Sequence, residues 1–423
     1  MKYIKSDALS FFILSTIIVN IIFLVIAMFG SFSENILFFS GSNSYQFGDF
    51  YDLLYHINDK ESLIKSYGNA WNSPLIYSIM SFFMIDLNFS LNKFLLINNN
   101  LYLFFIFFGI SIILTLFILY KFLEKYDLDN SLKYLIIISY LTSYPFLFAF
   151  DRGNTILFVT PIFYIFMYFY LHKKNNIIYS SFLLGLLFNL KYYLCAYAFS
   201  LLRGTKNRVI LISSILIALF VFILSNFYIL RDWNFIQSFL EIFTQLLDYG
   251  SHSRNEKTNW NVSHTSLYQL ISQFYFWDIR PRFENYTLSK LHYMKFITYY
   301  YSLFFVLLTF YMFIKICLTK NIENYKKIIF FLLFFLLASP YSPYYFLCLL
   351  FFPIIYYLNK NRYDYFVAIL SIFIFTGLRY LTHYYFEFKN DKLEAISFDP
   401  AIKTLSLVFL YIYFYKKFRE EIL

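Results

Sequence analysis

The chain has 423 residues, 60% of them hydrophobic and 14% charged, with a formal net charge of +10. So apolar a composition excludes an ordinary soluble domain. With 10 glycines in all and no Gly-rich phosphate loop, it also argues against a cytoplasmic nucleotide-binding enzyme.

In chain order, apolar runs predict spanning helices at about 9–29, 99–120, 133–149, 155–172, 177–190, 191–202, 208–230, 293–317, 327–339, 343–359, 364–385 and 402–416, about twelve in all. The first run follows a short basic lead. It is long for a signal peptide and has no clear small-residue cleavage site, so it reads as a retained span. Residues 74–87 (PLIYSIMSFFMIDL) are apolar but too short to cross, and predict a helix lying in or dipping into the outer interface. Residues 177–202 read as two short spans that meet at Lys191. The expected fold is therefore all-α: a polytopic helical bundle forming a single domain over 1–423, with outer loops at 31–98 and 231–292.

Charge orients this bundle. With the N-terminus inside, nineteen of the 35 Lys and Arg fall on the inner side, but only eight of the 25 acids. That is the bias of short cytoplasmic loops. The basic balance thus encodes topology and gives no reason to expect a nucleic-acid partner. Making 74–87 a full crossing, or 177–202 a single one, would move the later basic loops to the wrong face. Both termini are expected in the cytoplasm. Cys195, Cys317 and Cys348 lie in or beside apolar runs without metal-ligand spacing, so neither a metal site nor a disulfide framework is expected.

The chemistry-bearing residues gather on the predicted outer side. In the first outer loop, Asp49 and Asp52 are three apart and would share a helix face. A catalytic carboxylate must reach a substrate proton within hydrogen-bond distance; the alternative is a solvated acidic helix. The same loop holds His56, Asp59 and Glu61, the last two reading as surface charges. The turn Asp151-Arg152-Gly153-Asn154 offers an arginine suited to phosphate, or else a capped turn with an internal Asp–Arg pair. Lys191 is the one charge in FNLKYYLCAYAFSLL, and a charge at membrane depth is a functional candidate by default. Snorkelling to the interface is its alternative, and for Arg379 and His383 in TGLRYLTHYYF snorkelling is the stronger reading. FIQSFLEIFTQLLDYG predicts an amphipathic run on the membrane. His252 and His264 have no helical ligand spacing. Pro340 and Pro343 force a turn in SPYSPYY.

Four segments, in this order, resemble the C-type-fold polytopic glycosyltransferases, most of all glycosyltransferase family 87. They are GDFYDLLY with AWNSPLIY; DRGNTILFV with YSSFLLGLLFNLKYYL; NVSHTSLYQLI; and ASPYSPYYFLCLLF. The resemblance extends over most of the chain. It implies an inverting transfer of mannose or another sugar, without a cofactor, from a polyprenyl-phosphate donor to a lipid-linked or glycan acceptor at the outer face of a bacterial inner membrane. Asp49 would be the general base, with Asp52 the alternative. Lys191 and Arg152, with Arg379, would neutralise the donor phosphate. Asn154, Asn261, His264, Ser266, Tyr344 and Tyr345 would line the substrate cleft. The family's last turn usually carries Trp and His where this chain has Pro343, Tyr344 and Tyr345, so a tyrosine, His264 or Arg379 must replace that histidine. An O-antigen or capsule polymerase or ligase, and a lipid-linked sugar flippase, are the rival readings.

Overall fold

The computed structural model describes residues 7–29, 47–58, 74–83, 101–126, 128–172, 176–230, 267, 270–271, 288–319, 322–339, 344–378, 383–387, 393–397 and 399–420. Their packing groups the chain into two units, each discontinuous in sequence. One comprises Met1–Ile36, Asp129–Leu147 and Asn261–Leu423; the other comprises Leu37–Leu128 and Phe148–Trp260.

The architecture is overwhelmingly helical. In the unit that contains both termini, α1 (Ala8–Phe29) packs on α5 (Asn130–Thr142) and α13 (Tyr365–Phe375). It starts where the Asp7 carboxylate accepts the Ser10 backbone N–H at 2.8 Å, answering one of the orphan donors of a helix N-terminus. The buried Asn20 side chain ties α1 to the end of α13: its amide donates to the Phe375 carbonyl and accepts from the Gly377 N–H, both at 3.1 Å. Gly377 is required by closeness, since a Cβ there would lie 2.8 Å from the Phe23 ring. α10 (Leu288–Leu318), α11 (Asn324–Ala338), a 3-10 turn (Tyr344–Leu347), α12 (Cys348–Lys360) and α14 (Asp399–Glu420) also belong to this unit. α11 and α12 are buried almost all round, as their unbroken apolar composition requires.

In the other unit, α2 (Gly48–Asn58) and α3 (Pro74–Phe83) precede α4 (Leu101–Leu123), which carries a π-helical segment at Phe105–Gly109. α7 (Ile156–His172), α8 (Ile177–Leu190), a 3-10 helix (Tyr192–Leu201) and α9 (Thr205–Leu230) follow. α6 (Tyr144–Arg152) begins in the first unit and ends in this one. α8 and α9 approach closely at Gly185, where a Cβ would come within 2.9 Å of the Ser214 carbonyl oxygen. Asn189 fixes the crossing by donating to the carbonyls of Gly185 (3.1 Å) and Ala218 (2.9 Å).

Among the described residues, four helices are long and apolar enough to cross a membrane: Ala8–Ile26, Leu101–Leu123, Thr205–Phe227 and Tyr300–Leu318. A fifth results if α5 and α6, bent by 48° at their junction, act as one span. α7, α8, α12 and α13 are apolar but shorter. Large apolar side chains such as Ile212, Leu216, Phe220, Phe304, Leu307 and Tyr311 face outward on α9 and α10. Outward apolar faces this extensive suit lipid, not water.

Three expectations meet their structure here. The 74–87 segment forms a ten-residue helix at Pro74–Phe83, which packs on α9 with Ser78 Oγ donating to the Ser225 carbonyl at 3.0 Å. The 177–202 run breaks at Lys191. Among the described residues, the 364–385 run is helical over Tyr365–Phe375; further on come two antiparallel paired strands, β1 (His383–Glu387) and β2 (Leu393–Ser397), with His383 opposite Ser397. The all-α expectation holds for the rest of the described residues, and the departure is local to this pair of strands. LTHYYFEF is rich in aromatic residues, which favour strands, and a short run of that kind cannot be told from a helix by periodicity.

Candidate functional site

The polar cluster of the second unit is assembled from the start of α2, the α6–α7 turn and the α8 break. Phe47 enters α2 with a positive φ of 52°, a backbone conformation disfavoured for a bulky residue. It is held there by donating its N–H to the Asp151 carbonyl (2.9 Å) and by an edge contact with Phe104, 4.7 Å between ring centroids. That anchor points the first turn of α2 at the α6–α7 turn. Asp49 lies in that first turn, where the helix dipole favours an anion.

The opposite wall is the turn itself. Gly153 has φ +61°, and a Cβ there would sit 2.8 Å from the Phe50 Cβ, so only glycine fits. The turn closes through the Gly153 N–H to the Phe150 carbonyl (3.0 Å) and the Asn154 N–H to the Ala149 carbonyl (2.9 Å), a left-handed helix stop. Asn154 then works in two directions. Its Oδ1 accepts the Ile156 N–H at the start of α7 (2.9 Å), which leaves its Nδ2 to donate to Asp49 Oδ2.

Arg152 completes the grip on Asp49. Its Nε donates to Oδ1 at 3.1 Å and its Nη2 forms an ion pair with the same oxygen. The Asp49 side chain is 18% exposed and that of Arg152 24%, so the pair is partly shielded from water and still reachable. The turn's arginine therefore binds the carboxylate of α2, not its neighbour Asp151. Asp151 is 4% exposed, and among the described residues neither of its carboxylate oxygens has a hydrogen-bond partner. It feels the charges of Arg152 and Asp49.

Lys191 stands at the break between α8 and the 3-10 helix, with extended backbone (φ −145°, ψ 103°). It is 4% exposed, and the Asp49 carboxylate lies within electrostatic reach of its ammonium. Sequence reading linked Asp49, Arg152, Asn154 and Lys191, and the structure brings these four into one unit. Asp52 differs: it is exposed on α2, although three residues from Asp49. The shared-face expectation treated the two carboxylates alike; Asp49 meets the turn through Arg152 and Asn154, while Asp52 is exposed.

The remaining candidates belong to the other unit or lie outside the described residues. Tyr344 and Tyr345 belong to the other unit. There Tyr344 is fully buried, edge-on to Tyr144 at 5.5 Å, with the Lys403 ammonium 5.2 Å from each of the two ring centroids. Arg379, Asn261, His264 and Ser266 lie outside the described residues, as do residues 235–250. Among the described residues no group of three or more His, Cys, Asp or Glu could hold a metal ion.

Sequence reading missed a second charge pair, this one buried. Asp399 and Lys403, one turn apart on α14, form an ion pair with both side chains fully buried. Lys403 also donates to the Thr376 carbonyl at 2.6 Å, and Asp399 accepts the Leu378 N–H at 3.3 Å. The signal was present: opposite charges at i, i+4 where an apolar run begins.

Comparison with protein-family models, with curated proteins and with solved structures returns no match.

Proposed function

We propose that the protein is a membrane glycosyltransferase of C-type architecture that moves a sugar from a polyprenyl-phosphate donor to a lipid-linked or glycan acceptor. The observation that carries this reading is the placement of Asp49: a partly exposed carboxylate gripped by Arg152 and Asn154, with the buried Lys191 ammonium in reach. A base and a phosphate-binding cation pair are the two parts that such a transfer requires. On this reading the chain makes about twelve crossings of a bacterial inner membrane, both termini are cytoplasmic, and Asp49 works at the outer face.

In the reaction, the acceptor hydroxyl gives its proton to Asp49 and its oxygen attacks the anomeric carbon. The bond from that carbon to the phosphate oxygen breaks, and its electron pair leaves with polyprenyl phosphate. Lys191 and Arg152 take up the negative charge that develops there, the kind of electrostatic stabilisation worth several kcal/mol of barrier. The donor phosphate competes with Asp49 for Arg152, so donor binding frees the Asp49 carboxylate to meet the acceptor hydroxyl.

The test is the purified full chain in detergent, offered polyprenyl-phosphate sugars with lipid-linked acceptors. A new glycosidic bond is expected. Movement of lipid-linked sugar across liposomes with no glycosidic product would sink the enzyme reading in favour of a flippase.

A further inference from the structure

Wholly within the unit that contains the termini, a cavity of about 580 Å³ opens where α12 ends, α13 begins and α14 nears its close. Lys360, Arg362, Lys417, Tyr413, Asn359 and Asp364 are among the residues that line it. Three cations face one carboxylate. That carboxylate is already committed: Asp364 Oδ2 accepts from Tyr357 Oη (2.6 Å), Tyr413 Oη (2.8 Å) and Lys417 Nζ (2.9 Å), while Oδ1 caps α13 through the Val367 N–H (3.3 Å). Lys360 is answered by Glu323 at 3.5 Å and stacks over Tyr325 and Tyr356. Among the described residues, the Arg362 guanidinium has no ion-pair or hydrogen-bond partner. Its backbone is nonetheless fixed, the carbonyl accepting the Ala8 N–H at 2.7 Å. Among the described residues no donor meets the buried Asn359 amide oxygen, and turning that amide over would place its two N–H donors there instead.

We infer that this basic cavity binds a phosphate-bearing anion, and specifically the headgroup of an acidic phospholipid. Two features favour the lipid over a free anion. Tyr363, on the rim, is 85% exposed, the position of an aromatic anchor at a membrane interface. From the cavity, α13 runs on with Phe366, Ile369 and Phe373 exposed at helical spacing, a track along which an acyl chain can lie. Basic pockets between helix ends are the setting in which anionic headgroups are held. The inference requires membrane embedding but no sugar transfer.

The test is native mass spectrometry and thermal unfolding of the full chain in detergent, titrated with phosphatidylglycerol, with phosphatidylcholine of the same acyl chains, and with inorganic phosphate. Phosphatidylglycerol is expected to bind and to raise the melting temperature more than phosphatidylcholine. Arg362→Gln is expected to weaken phosphatidylglycerol about fivefold, the equivalent of about 1 kcal/mol for one basic residue at an anionic surface, and Arg362→Lys to restore most of it. Should Arg362→Gln fail to fold, Lys360→Gln is read in the same way. Equal binding of the two lipids, or an Arg362→Gln chain with unchanged selectivity, overturns the inference. A melting shift from inorganic phosphate as large as that from phosphatidylglycerol overturns the lipid assignment.

Discussion

Arg152 and Asn154 divide the Asp49 carboxylate between them: the guanidinium takes Oδ1 and the amide takes Oδ2. Both donors come from one four-residue turn, whose shape depends on Gly153. The carboxylate is therefore aimed by a backbone turn roughly a hundred residues further along the chain.

Asp49→Asn and Asp52→Asn should separate the two carboxylates. If Asp49 is the base, its amide variant loses about 10²–10⁴-fold in transfer rate, the usual contribution of a positioned base. The exposed Asp52 is expected to tolerate the change within a few-fold. Steady-state transfer from a polyprenyl-phosphate sugar reads both, and equal losses would end the preference for Asp49.

The ion pair itself is measured by a double-mutant cycle. Asp49→Asn and Arg152→Gln, alone and together, are expected to show a coupling of about 1–3 kcal/mol in detergent stability, the range for contacting residues in one network. Additive effects would mean that the pairing contributes nothing in solution.

Gly153→Ala should destabilise the second unit. An L-residue at this left-handed φ costs about 1–2 kcal/mol, and the Cβ placed against Phe50 adds to that. A lowered melting temperature, accompanied by loss of activity, is the expected result. A neutral Gly153→Ala variant would show that the turn relaxes freely.

Asp399 and Lys403 lead to a sign test for buried pairs. Lys403→Met or Asp399→Leu alone leaves one charge buried and is expected to cost about 3–5 kcal/mol. The double variant Asp399→Leu/Lys403→Met should recover most of that loss. A double variant as unstable as the worse single would point to a role for the pair beyond mutual compensation.

Asp364 sets an acid limit. Burial alone would raise its carboxyl, but hydrogen bonds from Tyr357, Lys417 and Tyr413, with the charge of Lys417, hold it below the usual carboxylate range. A carboxyl depressed in the folded state contributes stability that is full above its unfolded pKa and fades as pH falls through its folded pKa. Unfolding midpoints measured from neutral to strongly acidic pH should therefore fall less steeply for Asp364→Asn than for the parent chain.

How much of this was legible beforehand depended on range. The break at Lys191 could be read because a lone charge in an apolar run forces a local choice. The end of α13 could not, since Thr376 to Phe386 is as apolar as a helix and as β-prone as a strand. The pairing of Arg152 with Asp49 was hidden for a different reason. Sequence offers Asp151 as the adjacent partner, and only the positive-φ turn at Gly153 sends the guanidinium to α2 instead.

The 3-10 helix after Lys191 has a consequence of register. With three residues per turn, positions three apart eclipse one another, and Lys191, Leu194, Tyr197 and Ser200 are all buried while Cys195 and Phe199 are exposed. Leu194, Tyr197 and Ser200 thus form a straight, three-spaced rack that seats the 3-10 helix, and Lys191 is its extended lead-in. One residue inserted between Lys191 and Leu194 is expected to leave that rack seated and to displace Lys191 from it. Such an insertion would disarm the cluster without removing any of its charges.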